Sequence, residues 1–296
     1  MINYYCPDII VGYKFYPNLM KLKRDYPELF YDDVHVKKVY GNFPNVTWNG
    51  GSMFTGPFIS EIAEMKSFLD IYKELDIKLQ FTMTNSLVDE KDCYDRYGNL
   101  ILTLLSEDYS DISEILVASP ILENFIRANY PKLKISRSIV DTPVDYNYKE
   151  ALNHYENIVI PIRHTYDFDF FSQFSDEEKK RVEILCSDPC PIDCPRIYEH
   201  YREYARGNLF LGSRDFCTNP LVNCTNDDCG TLRRYDSENG VLVPYNKIIK
   251  DYVPRGFSEF KLSGRGSVPN VICNVVSYMI KPRYQVNAIK DLIIRS

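Results

Sequence analysis

The stretch at residues 59–82, ISEIAEMKSFLDIYKELDIKLQFT, decides the fold class. Its first part sets Ile59, Ile62, Ala63, Met65, Phe68, Leu69 and Tyr72 near a period of about 3.6 residues, which predicts a helix over 59–75. A short β-rich run follows at 78–82. The same alternation extends outward in both directions. Strand candidates lie at 5–11, 34–40, 78–82, 114–118, 133–136, 157–161, 181–186 and 259–262. Helical segments separate them, so the strands are expected to run parallel with crossover helices. Pro120 opens a helix over 120–128 at a position where a missing N–H costs nothing. Ser175 with Glu178 reads as a capping box. Helices over 268–280 and 286–294 end the chain. The prediction is an α/β fold, a single (β/α)8 TIM-type barrel over 1–296.

The step from the seventh run to the eighth breaks this rhythm. About seventy residues separate Cys186 from Glu259, too many for one crossover helix, and so long a connection is usually functional. A cysteine-rich insertion is expected at 186–240, because six of the nine cysteines fall there: Cys186, Cys190, Cys194, Cys217, Cys224 and Cys229. Loops that follow barrel strands build the active-site face, so these thiols fall where chemistry is expected.

The bulk composition narrows the classes further. The net charge is −6, which does not indicate a nucleic-acid surface, although a local basic patch is compatible with it. No stretch approaches roughly 18 uninterrupted apolar residues, so no membrane partner is expected. The opening MINYYCPDIIVGYKFYP lacks a basic region and a small-residue cleavage site, which predicts a cytoplasmic protein. Cysteines in that compartment serve as ligands, catalysts or buried thiols more often than as disulfides.

The local sequence Cys186-Ser-Asp-Pro-Cys190-Pro-Ile-Asp-Cys194-Pro-Arg196 spaces its thiols so that they can converge on one metal or cluster. Pro189, Pro191 and Pro195 reduce the freedom of the unliganded loop. Soft thiolates select iron–sulfur or zinc chemistry. Cys190 and Cys194 are the leading ligands, and the rest of the set is expected from Cys217, Cys224 and Cys229. Cys186 ends a run in which Val182, Ile184 and Cys186 alternate, making it either a barrel-lining thiol or packing. Cys6, Cys93 and Cys273 read as buried or unremarkable thiols. His200 and Arg196 fall on a helix after Cys194, and His164 and Arg163 follow the sixth strand. Gly50-Gly51 forms a tight loop without a phosphate-binding pattern. No nucleophile elbow supports a Ser–His–Asp triad.

Three segments resemble the collagenase-like peptidase superfamily, which includes iron–sulfur proteins that hydroxylate tRNA and ribosomal RNA bases or ubiquinone precursors. They are VEILCSDPCPIDCPRIYEHY at 182–201, VLVPYNKIIKDYVPRGFSEFKLSGR at 241–265, and the run from WNGGSMF to LQFTMTN at 48–85. The resemblance implies a barrel and a four-cysteine 4Fe–4S cluster, with Cys190 and Cys194 as the best-matched ligands. Two of Cys217, Cys224 and Cys229 complete the set, and Cys224 and Cys229 are the expected pair. The resemblance also implies that His200, Arg196, Asn85, Arg163, Lys261 and Arg265 line the site, and that Cys186 is an ordinary apolar strand position. The sequence departs from the family where Ser187 replaces a usual asparagine. The long glycine- and cysteine-rich signature of the peptidase-named and RNA-hydroxylating members is missing. The expected function is redox modification, of hydroxylation type, of a small-molecule ring or nucleobase, with an electron donor as a further partner. The alternatives are a peptidase and a non-enzymatic binding protein stabilised by zinc or a cluster.

Overall fold

The computed structural model describes residues 1–52, 56–188, 192, 194, 196–210, 241–263 and 268–296. Ten strands occur in it: β1 (Ile2–Pro7), β2 (Val34–Gly41), β3 (Lys78–Met83), β4 (Ser113–Val117), β5 (Lys134–Arg137), β6 (Ile158–Ile160), β7 (Val182–Leu185), β8 (Ser187–Asp188), β9 (Val241–Leu242) and β10 (Glu259–Lys261). Eight of them close into a parallel barrel in the order β1-β10-β7-β6-β5-β4-β3-β2. The expected (β/α)8 architecture is therefore present. The cysteine-rich stretch at 186–240 lies largely outside the described residues.

The barrel wall is buried on both sides, and the two sides have different chemistry. Leu79, Phe81 and Met83 of β3, and Val182 and Ile184 of β7, belong to the apolar layer under the helices. The alternate positions, Gln80 and Glu183, meet across the inside of the barrel, where Gln80 Nε2 donates to Glu183 Oε1 at 2.7 Å. Cys186 continues the outward-facing series. It is fully buried in the apolar layer, and its thiol points back to the Ile184 carbonyl at 3.6 Å. Burial pushes that thiol well above its ordinary pKa. It is packing rather than a lining thiol, because the opposite phase of the strand faces inward.

Several elements shift from their sequence positions. The first strand ends at Pro7 instead of running over 5–11, because Asp8 starts a turn: its Oδ1 accepts from Ile10 N at 3.1 Å and its carbonyl from Gly12 N at 2.8 Å. The helix expected over 59–75 is Ile62–Glu74. The last helix starts earlier than 286, at Pro282, and runs to Arg295. Helices at Phe15–Asp25 and Arg96–Asp108 fill two further crossovers. The second is capped by Asp95, which accepts from Gly98 N at 2.6 Å. The Ser175–Glu178 capping box forms as expected, and Ser119 caps the helix Pro120–Asn129. Among the described residues, no helix is long and apolar enough to cross a membrane.

Candidate functional site

The helix Ile197–Leu209 is about 20 Å long and lies across the C-terminal mouth of the barrel. Its first turns are held over the loops after β5 and β6. There Arg163 Nη1 donates to the Tyr198 hydroxyl, Tyr198 donates to the Thr142 carbonyl at 2.9 Å, and Arg202 pairs with Asp141 at 3.1 Å. Its last turns are held over the loops after β2 and β3. Asn208 Nδ2 donates to the carbonyls of Asn49 at 2.6 Å and Ser52 at 3.0 Å, and Asn85 Nδ2 donates to the Ala205 carbonyl at 2.9 Å. β2 and β6 stand opposite each other in the strand order, so the helix spans the opening.

The loop at Gly50 makes this possible. A Cβ there would lie 2.1 Å from the Thr84 carbonyl oxygen, so only glycine allows the approach. The N–H groups of Gly50 and Gly51 both donate to Thr84 Oγ1, at 3.2 and 3.1 Å. They tie two loops together and are not held ready for a phosphate.

Between the crossing helix and the β5–β6 side, a cleft of about 270 Å3 opens. Ile139, Ile162, Ile192 and Ile197 give it apolar walls, and Arg163, Cys194, Tyr198 and Tyr201 contribute polar or reactive groups. Cys194 is 9% exposed. The backbone on either side of the cysteine-bearing stretch is fixed at this same mouth. β8, directly after the buried Cys186, pairs antiparallel with β9 through Ser187 with Leu242 and Asp188 with Val241. Ser187, the position of the departure from the family pattern, accepts from Ser263 N and Asn274 Nδ2, both at 3.0 Å. The chain between Asp188 and Val241 thus leaves and returns at one point.

Arg163 organises the cleft wall. Beyond Tyr198 it donates through Nη2 to the Pro143 carbonyl and the Tyr148 hydroxyl, each at 3.2 Å, and through Nε to His164 Nε2 at 3.2 Å. His164 stacks on Phe170 with ring centroids 3.9 Å apart, and its Nδ1 lies 3.4 Å from Asp167 Oδ2. An imidazole with Nδ1 protonated and Nε2 accepting satisfies both contacts. Burial lowers the His164 pKa, and the Arg163 charge adds to that, while Asp167 works in the opposite sense.

His200 lies on the crossing helix and is buried. Arg196 precedes that helix and pairs with Glu199 at 2.9 Å. Asn85 is fully buried and serves as a connector, donating also to the Thr47 carbonyl at 2.8 Å and accepting from Leu87 N at 3.0 Å. Lys261 is inside the barrel rather than in the cleft wall. Its Nζ bonds to Gln80 Oε1 and lies 3.1 Å from Glu183 Oε2 and 4.3 Å from the centroid of the Tyr40 ring. Arg265, Cys190, Cys217, Cys224 and Cys229 lie outside the described residues. Among the described residues, no group of three or more His, Cys, Asp or Glu side chains could hold a metal ion.

Lys261 belongs to an interior layer that the sequence reading did not identify. Lys38 pairs with Glu114, and Gln80 bridges Glu114 at 2.9 Å to Glu183. Burial alone would raise the Glu114 pKa, but the Lys38 ammonium and hydrogen bonds from Gln80, Lys38 and Ser136 hold it below the usual carboxylate range. Lower down, Glu259 accepts from Tyr5 at 2.9 Å, Asn3 at 2.8 Å and Lys37 at 2.7 Å. The available signal was a polar residue set within a largely apolar run, as with Gln80 in β3, Glu114 in β4 and Glu183 in β7. Tyr148, Tyr198 and Asn208 were also missed, and nothing local to their sequence marks them.

No protein-family model matches the chain, and no curated protein sequence matches it. Among solved structures, it is similar to a U32 peptidase, at 15% identity and a TM-score of 0.48, with 90% of this chain and 94% of that chain covered. It is also similar to a GH113 β-1,4-mannanase, at 11% identity and a TM-score of 0.36, covering 88% of this chain and 86% of that one. The assignment of the barrel rests on its own strand pairing.

Proposed function

We propose that the chain is an iron–sulfur enzyme of the collagenase-like peptidase superfamily that carries out redox modification, of hydroxylation type, on a ring or nucleobase. The observation that carries the reading is the anchoring of the cysteine-bearing stretch at the barrel mouth. β8 and β9 pin both of its ends there, and Cys194 stands in the cleft wall. The donor chemistry fits a thiolate-held cluster: Cys190, Cys194, Cys224 and Cys229 would hold it, with Cys217 as the other candidate. When bound, such a cluster supplies one-electron redox chemistry.

The chain's own residues supply the surroundings. The isoleucine walls exclude water and suit a flat, largely apolar ring, and the cleft is of a size to take one. Arg163 fixes Tyr198 and Tyr148 and so positions the polar side of the cleft. Hydroxylation exchanges a ring C–H for C–OH, a two-electron oxidation that requires an oxygen-atom donor and a redox partner. A small-molecule co-substrate and an electron-transfer protein are the partner classes this implies.

The test is iron and acid-labile sulfide analysis of anaerobically purified full-length protein. Stoichiometric iron and sulfide with a broad visible absorption shoulder is the expected result. Stoichiometric zinc in a colourless preparation would favour the structural binding protein instead. Casein hydrolysis that survives Cys190→Ala would favour the peptidase.

A further inference from the structure

Arg137, the last residue of β5, is 6% exposed. Its Nη1 donates to the Ala118 carbonyl, at the end of β4, and its guanidinium lies 5.4 Å from the centroid of the Tyr146 ring. Its Nε is buried and has no hydrogen-bond partner among the described residues. No carboxylate there forms an ion pair with it either. Glu123, an acid on the neighbouring helix Pro120–Asn129, is already used: it accepts from Arg127 Nε at 2.9 Å and from the Tyr155 hydroxyl at 2.6 Å. A guanidinium cannot discharge itself at any ordinary pH, so burying one without an anion is costly.

The position of Arg137 makes this more than a packing oddity. It sits at the C-terminal ends of β4 and β5, on the side of the barrel where ligands bind. Aromatic and polar contacts connect it to the cleft: the Tyr146 ring lies 5.0 Å from that of Tyr148, and the Tyr148 hydroxyl accepts from Arg163. We propose that Arg137 anchors an oxyanion-binding site on the β4–β5 edge of the mouth. It takes a carboxylate or phosphate group against the Nε side of its guanidinium fork, with Tyr146 as the floor, once the side chains packed over that buried edge shift to admit it. Planar guanidinium groups recognise both oxyanions side-on through paired N–H donors. The site does not depend on the metal centre proposed above.

The experiment is thermal unfolding of the full-length protein titrated separately with inorganic phosphate and with acetate at constant ionic strength. One of the two is expected to raise the melting temperature saturably, by about 3 °C or more, and which one does so identifies the group. Arg137→Met is expected to abolish that rise and, without added anion, to melt no lower than wild type, because it removes an unpaired buried charge. Arg127→Gln, on the same side of the barrel, is expected to keep the rise. If Arg137→Met does not fold, Arg137→Lys keeps the charge but loses the fork, and the anion concentration at half effect should increase at least tenfold. No saturable rise with either anion, or an equal rise in the Arg137 variants, overturns the proposal.

Discussion

Lys38 and Lys261, inside the barrel, each face a glutamate, whereas Arg137 and Arg163, at its mouth, face carbonyls, hydroxyls, an aromatic ring and an imidazole. Both regions bury cations. Inside, each charge meets its opposite, and Gln80 stitches the two pairs into one network. That arrangement is complete without a ligand. At the mouth, among the described residues, Arg137 and Arg163 are held by neutral groups, whereas Arg202 and Arg196 pair with Asp141 and Glu199. A fully compensated network specifies a fold, while a cation set only against neutral dipoles remains able to attract an anion.

The largest effect is expected where compensation is complete. Glu183→Ala leaves Lys261 buried and short of its carboxylate and should lose about 3 to 5 kcal/mol in chemical denaturation. Replacing Gln80, Glu183 and Lys261 together by Leu, Leu and Met should cost less than that single change, since no orphaned charge remains. A triple variant weaker than Glu183→Ala would mean that the layer acts through more than charge balance.

At the mouth the expected losses are smaller and local. Tyr198→Phe removes the acceptor for Arg163 and the donor to Thr142 and should cost about 1.5 kcal/mol. Amide exchange is expected to speed up along Ile197–Leu209 and not in the barrel strands. Uniformly faster exchange would show that the crossing helix is not a separate unit.

The smallest effect concerns His164. Its folded pKa lies below the ordinary value of about 6.5, so in the window between the two the unfolded chain binds more protons, and stability falls as pH falls. Protonated His164 also cannot accept from Arg163 Nε. His35, likewise lowered by burial, acts in the same direction, so the measurement is a comparison with His164→Gln. That variant should show a shallower loss of stability below about pH 6.5 than wild type. An unchanged slope would remove His164 from the account.

The barrel was legible because its strands are short, apolar and regularly interrupted, and hydrophobic periodicity reports such features well. The phase of β7 was not legible. Val182, Ile184 and Cys186 form the more apolar series, and in a wall buried on both sides apolar residues do not mark the inside. Here Glu183 does. The cysteine spacing and Arg163 were visible locally, since turn-rich cysteine runs and barrel-end loops carry compositional signals. The crossing helix was visible as a helix but not as a cover. Its place depends on Asn208 reaching Asn49 and on Tyr198 reaching Arg163 and Thr142, contacts between distant parts of the chain. Lys261 entered as a site-lining residue through the family resemblance alone, and its place inside the barrel depends on Gln80 and Glu183, which lie far away in sequence.

The central claim is that thiols of the stretch anchored by β8 and β9 meet at one inorganic centre. Its most direct test is iron content per chain, measured anaerobically, in Cys190→Ala and Cys194→Ala beside Cys273→Ala, whose exposed thiol lies on the helix Val268–Met279. Most of the iron should be lost in the first two, with helical content largely unchanged, and retained in the third. Equal iron in all three, or none in the wild type, would contradict the account.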